Sequence, residues 1–302
     1  MPTIELSAGA VDYEDTGGDG PVVVPVHGLI MDATVWHEVV DDLRTDHRCV
    51  VPTLPLGAHR TPMKPEADLS LTGQARLLAE LIERLDLHDV TLVANDWGGP
   101  LVTAVERPGL IDRLVLTPCE AFDNLPPGLP GAFAGLVGRL PGGLFLAAQS
   151  LRLRPVRRLP VVFGRMVAGP IPHDLVDGWI GPLRTQRAVR RDLARYVRTT
   201  DDSCLDAIVD DLARLDVPVL VAWTDDDLVM PAEHGRRLAD LVPQGRYVEV
   251  ADSRTLVPID QPRVLAGLVR DFIRDTPSGP DAGSGRAERR GGATTGTGTA
   301  SR

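Results

Sequence analysis

Val93-Ala94-Asn95-Asp96-Trp97-Gly98-Gly99 is the stretch on which the reading of this chain turns. A short apolar run, Asp89 to Ala94, precedes it, and helical spacing follows it to about Glu106. A strand that passes straight into a helix must bend sharply, and the central residue of such a bend is forced into a strained backbone conformation. Its near neighbours have to be small, or the strand and helix collide; Ala94, Gly98 and Gly99 meet that need. The bend throws the side chain of Asp96 off the C-terminal end of the sheet, where doubly wound folds place ligands. The helix N-terminus beneath it favours negative charge. Burial against Trp97 acts the other way and raises a carboxyl pKa, so the net sign stays open.

Working outward, strand and helix signals alternate. Pro21 to Val26 reads as a strand ending at His27-Gly28, Ala33 to Leu43 as a helix, and Arg48 to Val51 as a strand. Ser70 to Leu85 puts Leu71, Ala75, Leu78, Ile82 and Leu85 on one helical face, with Ser70 as N-cap. Beyond the central stretch come strands at Arg113 to Leu116, Val217 to Ala222 and Arg246 to Val250, and helices at Ala232 to Leu241 and Gln261 to Arg274. This alternation predicts an α/β fold with a mainly parallel, doubly wound sheet covered on both faces. Between Glu120 and Asp202 the rhythm breaks into short helical signals rich in Pro, Gly, Leu and Arg. The expected organisation is a core of residues 1–119 and 203–275, a helical cap at 120–202, and a tail at 276–302. The tail has no apolar side chain larger than Ala or Pro, so it cannot offset its ordering entropy and is expected to be disordered.

With 302 residues, 43% of them hydrophobic, the chain can bury a large core, and with 4% aromatics that core must be aliphatic. A net charge of −10 argues against general nucleic-acid binding. The charge is uneven: residues 139–198 hold twelve Arg and three Asp, a net of +9, which leaves −19 on the rest. Such a basic lid over an acidic body attracts an anionic substrate or docks on a partner, or is simply a set of solvated helix faces in a chain whose sole lysine is Lys64. Cys49, Cys119 and Cys204 form no paired motif, so no zinc or redox site is indicated, and their sparse, odd count fits a reducing cytoplasm. Met1 to Val11 lacks the pattern of a signal peptide, and the best apolar run, Gly131 to Leu151, is broken by Arg139, Pro141 and glycines. The expectation is a cytoplasmic protein with a small-molecule substrate, no nucleic-acid or membrane partner, and neither cofactor nor metal. Oligomeric state is left open.

The bend at Asp96 is a nucleophile elbow with Asp in the usual Ser position. Over most of residues 3–275 the chain resembles the α/β-hydrolase superfamily, and its Asp-Trp-Gly-Gly resembles haloalkane dehalogenases and epoxide hydrolases. In those enzymes the Asp attacks carbon to give an ester, which a His-activated water then hydrolyses. The resemblance implies a hydrolase acting through Asp96 on an ester, halide or epoxide bond. His27-Gly28 resembles the oxyanion-hole loop, which implies that the backbone N–H groups of Leu29 and Trp97 hold developing negative charge or a leaving group. The Trp97 indole is either a halide contact, as in dehalogenases, or a pocket wall. Trp223-Thr224-Asp225-Asp226-Asp227-Leu228-Val229-Met230-Pro231 resembles the acid loop, with Asp four residues before Pro. That selects Asp227, with Asp226 as runner-up; the Asp run reads as loop solvation and helix capping rather than a metal site.

One element departs. The family places a His after the last strand, and in Ala251-Asp252-Ser253-Arg254-Thr255-Leu256-Val257-Pro258-Ile259-Asp260-Gln261-Pro262 that position falls on Thr255. A threonine hydroxyl is no general base at neutral pH, and without a base an ester on Asp96 accumulates. Candidate substitutes are His59 near a strand end, His234 on the helix after the acid loop and expected in solvent, His173 on the cap, and His27, expected to brace backbone. Glu120 is an alternative acid, and Tyr196 is the one cap tyrosine where epoxide hydrolases use such residues on the epoxide oxygen. The alternatives to hydrolysis are a lyase, isomerase or cyclase using Asp96 as a general base, and a ligand-binding relic.

Overall fold

The structure, a computed structural model, describes residues 1–277. From Ser278 on, the expected disordered tail lies outside the described residues. Eight strands form one sheet: β1 (Thr3–Leu6), β2 (Gly9–Asp15), β3 (Val22–Val26), β4 (Arg48–Thr53), β5 (Val90–Asp96), β6 (Arg113–Cys119), β7 (Val219–Trp223) and β8 (Gly245–Glu249). Their order is β1-β2-β4-β3-β5-β6-β7-β8. β2 runs antiparallel to β1 and β4, and every other pair is parallel. The α/β-hydrolase architecture, mainly parallel and doubly wound, is therefore present. Every residue of β5 and β6 is buried, as a strand covered on both faces must be.

The sequence reading missed the hairpin β1–β2. Its signal is a period-two alternation, Ile4 and Leu6 then Val11 and Tyr13, interleaved with Glu5, Asp12 and Glu14. The acidic positions belong to an edge hairpin with one wet face. Its inner face buries Leu6 and Val11 with Met63, Leu69, Leu77 and Leu81 in a small core of its own.

The core helices are α1 (His37–Leu43), α2 (Leu71–Arg84) and α3 (Gly99–Glu106). The helix expected over 33–43 is divided: Ala33–Trp36 is a 3-10 turn capped by Asp32, whose carboxylate accepts the Thr34 N–H at 3.0 Å. Ser70 caps α2 by accepting the Gly73 N–H at 3.1 Å. Between β6 and β7 lies a helical insert of α4 (Gly128–Arg139), α5 (Gly143–Ser150), α6 (Arg154–Arg157), α7 (His173–Thr185) and α8 (Arg187–Thr199). α9 (Val209–Leu212), α10 (Ala232–Leu241), α11 (Val257–Asp260) and α12 (Pro262–Asp275) complete the chain. α1 packs on α12, α2 on α3, and α10 on β7 and β8. Thr276 still belongs to the fold: its carbonyl accepts from the Arg113 Nε–H at 2.5 Å.

Buried polar side chains help to seat the insert on the core. The Trp179 indole N–H donates to Thr34 Oγ1 at 2.8 Å. Asp192, fully buried on α8, accepts the Met63 N–H at 2.8 Å and bonds Arg191. A buried carboxylate without such partners would be costly, so this one fixes where α8 can sit.

Candidate active site

Asp96 ends β5 with φ of 64°, left-handed backbone in a residue that carries a side chain. Two neighbours show why nothing larger fits around it. A Cβ at Gly28 would stand 1.9 Å from Asp96 Oδ2, and one at Gly98 would stand 2.7 Å from the Glu120 carbonyl oxygen. Ile30 (φ 62°) and Phe122 (φ 54°) are left-handed as well. For a β-branched residue such as Ile30 this is a marked strain, and strain of this kind gathers at functional sites. No signal in the sequence points to Ile30.

Above the elbow is a cavity of about 400 Å³. Leu29, Asp96 and Glu120 form its floor, and the insert supplies walls such as Phe133, Leu144 and Met166. Among the described residues, Asp96 and Glu120 are the ionisable groups lining it, and the remainder of the lining is almost wholly apolar.

Burial decides the sign left open above. It pushes Asp96 up to about 7; the Leu29 N–H, 3.1 Å from Oδ2, pulls downward, and the charge of Asp227 adds to the rise. Glu120 is held well above the ordinary glutamate range, first by burial and then by the charge of Asp96, against the pull of the Gly98 N–H at 3.3 Å. The free N–H at the start of α3 thus serves Glu120, not Asp96 as the sequence suggested. Burial thus shifts both carboxyls toward the protonated form, which puts two groups able to exchange protons on one cavity floor.

The two expected backbone donors part company. The Leu29 N–H points at Asp96, whereas the Trp97 N–H turns back to the Asn95 carbonyl at 2.7 Å. The Trp97 indole is buried beside the Tyr196 hydroxyl and does not line the cavity. Both roles weighed for that ring need it at the cavity, and it is not among the described residues that line it.

Behind Asp96 the acid loop meets the stretch after β8. Asp227 Oδ1 accepts from the Thr255 hydroxyl at 2.9 Å and from the N–H groups of Val229 and Met230 at 2.7 and 2.9 Å. Its Oδ2 is buried and has no partner. Burial raises Asp227 to about 6 against those hydrogen bonds. Asp226, the runner-up, is exposed. Thr255 is fully buried, and its carbonyl accepts from the Asn95 side chain at 2.6 Å, which ties this loop to the residue before Asp96. The hydroxyl therefore binds the acid-loop carboxylate from the chain position where the resemblance implies an imidazole.

No histidine takes over. His27 donates through Nδ1 to the Gly28 carbonyl at 2.8 Å and accepts the Leu54 N–H at Nε2 at 2.9 Å; burial lowers it to about 4, so it is neutral and fully used. His59 is buried against Asp192 at 3.4 Å. His234 packs edge-on to Phe122 near Asp123 with its side chain 14% exposed, so it is not the solvent-facing residue expected. His173 opens α7. Among the described residues, none of these rings lines the cavity.

A left-handed Asp on a strand-to-helix bend, at the C-terminal edge of a parallel sheet and under a helical insert, defines the class of hydrolase-fold proteins with an Asp elbow. A family model described as alpha/beta hydrolase fold matches residues 21–262, and the chain belongs to that family of hydrolases. An uncharacterized protein of Mycobacterium tuberculosis is 28% identical over 312 residues, covering 94% of this chain and 85% of the relative. A cis-3-alkyl-4-alkyloxetan-2-one decarboxylase of Shewanella oneidensis is 24% identical over 277 residues, covering 86% and 84%. Among solved structures, a putative ancestral haloalkane dehalogenase superposes with a TM-score of 0.73 at 20% identity, covering 91% of this chain and 99% of that one.

Proposed function

We propose that the chain is a hydrolase that opens a carbon–oxygen bond in a small, uncharged, largely apolar substrate, with Asp96 as nucleophile. The observation that carries this reading is the pairing of Asp96 and Glu120 on the floor of an otherwise apolar cavity. A carboxylate oxygen of Asp96 attacks carbon, the carbon–oxygen bond breaks, and the departing oxygen takes the proton of Glu120. Halide needs no such proton, nor does the carboxylate released when a lactone or ester is attacked at its alkyl carbon, and the Trp97 indole lies outside the cavity, so an epoxide or other strained cyclic ether is favoured over a haloalkane. The Shewanella relative is named a decarboxylase of an oxetanone, itself a strained ring with a carbon–oxygen bond.

The ester then has to be hydrolysed without an imidazole. We assign water activation to Asp227, which lies outside the cavity lining but whose charge reaches Asp96, whose buried Oδ2 has no partner among the described residues, and whose other oxygen is anchored by Thr255. Water adds to the ester carbonyl carbon of Asp96, gives its proton to Asp227, and releases the alcohol. The three free cysteines, two of them buried, fit a reducing cytoplasm.

Intact-mass analysis tests the assignment with small epoxides, lactones and esters. Asp227→Asn should accumulate an adduct on Asp96 and turn over about a hundredfold more slowly, while Asp96→Asn should form none. Turnover in water carrying heavy oxygen should label the Asp96 carboxylate. The lack of an imidazole favours one other reading, proton abstraction by Asp96 in a lyase or isomerase. Turnover with no adduct in either variant and no label on Asp96 would establish that reading instead.

A further inference from the structure

α4 and α5 are apolar on both sides. Inward, Phe133, Val137 and Leu144 line the cavity; outward, Leu129, Leu136, Leu140, Phe145 and Leu146 stand 42–67% exposed. Of the ten large hydrophobic residues exposed among the described residues, seven fall between 129 and 159, so the exposure is concentrated in the insert. Residues 128–150 carry a single charge, Arg139. A helix that is hydrophobic all round belongs in an interior, and a concentrated apolar patch marks a contact surface.

The rim of this patch is cationic. Arg187, Arg190 and Arg198 of α8 border it beside Leu140 and Phe145, with the Arg190 guanidinium 5.0 Å from the Phe145 ring centroid. Of the twelve Arg in 139–198, only Arg157, Arg191 and Arg195 form ion pairs among the described residues. A second copy docking face to face would set one cationic rim against another. An anionic bilayer matches both features, with phosphates for the guanidinium groups and the headgroup–acyl boundary for the leucines.

We propose that the α4–α5 face docks peripherally on an anionic phospholipid bilayer, which sets the cavity walled by the same two helices against the lipid. The sequence reading weighed only spanning segments when it expected no membrane partner. Among the described residues no helix is long and apolar enough to cross a membrane, and docking needs none. The proposal is independent of the Asp96 chemistry, because vesicle binding is read without any substrate.

Co-sedimentation of the full chain with phosphatidylcholine vesicles, with and without phosphatidylglycerol, tests it. Binding is expected with the anionic vesicles and should fall steeply as salt is raised. Leu136→Asp with Leu146→Asp should weaken it by about tenfold or more. Arg187→Glu with Arg198→Glu should weaken it by roughly 25-fold or more. All four positions are exposed, so circular dichroism and the melting temperature should stay as in the parent. Failure to bind anionic vesicles, binding indifferent to lipid charge, or variants that bind like the parent each overturn the proposal. Light scattering that shows a dimer split by Leu146→Asp overturns it too, in favour of a second copy.

Discussion

The elbow at Ala94–Gly99 and the loop at Ala251–Leu256 meet through one hydrogen bond, from the Asn95 side chain to the Thr255 carbonyl, yet they are opposites. At the elbow the backbone is strained, the glycine contacts leave no slack, and burial holds Asp96 at about 7. At the loop, Thr255 is buried with both its hydroxyl and its carbonyl bonded. The loop has a left-handed residue of its own, Asp252 at φ 55°, but Thr255 is satisfied there, whereas the elbow buries an ionisable carboxyl. The attacking half of the site is therefore built for reaction. In the proposed mechanism the water-activating half rests on a carboxylate steadied by a hydroxyl.

Removing the elbow's carboxylate should have the largest effect. Asp96→Asn is expected to lower kcat/KM by about four orders of magnitude on the best carbon–oxygen electrophile. It should also stabilise the fold, and the sign follows from the raised pKa. Between the ordinary value of 3.8 and the folded value of about 7, the native state holds a proton that the unfolded chain has lost. Native stability therefore falls as pH rises through that window, and the loss is complete above it. A melting temperature several degrees higher than the parent's at pH 8, with the gap closing toward pH 3.5, would bear this out. An unchanged gap would mean that Asp96 is not desolvated.

Next in size is the acid beside it. Glu120→Gln should slow turnover by about a hundredfold on epoxides, whose oxygen leaves as an alkoxide, and far less when the leaving group needs no proton. Equal losses on both kinds of substrate would remove Glu120 from the proton-donor role. The parent's kcat/KM should rise through about pH 7 as Asp96 ionises. The smallest effect belongs to the loop. Thr255→Val removes one hydrogen bond to Asp227 and should cost about 1 kcal/mol in urea unfolding. Ester hydrolysis should slow only a few fold, because the base remains. A collapse of turnover in this variant would make the hydroxyl, and not Asp227, the group that handles the water.

The elbow was legible because its demands are local. Ala94, Gly98 and Gly99 sit within a few residues of Asp96, and the steric need for small side chains is written beside the residue that creates it. The parallel sheet was legible for a similar reason, since β5 and β6 read as continuous apolar runs. The loss at Thr255 could be counted back from Asp260-Gln261-Pro262. The hairpin β1–β2 was missed because its charges hid the alternation. The strain at Ile30 leaves no mark in a sequence that could have held glycine there.

By itself the sequence determined the fold class, the elbow and the absence of histidine after the last strand, because each rests on neighbours along the chain or on residue identity. Tertiary structure alone decided that burial outweighs the helix terminus at Asp96, that Glu120 takes the Gly98 N–H, that the Trp97 indole turns away from the cavity, and that no imidazole lines it. Those outcomes depend on desolvation and on direction in space, which are set by residues far apart in the chain that meet only when it is folded.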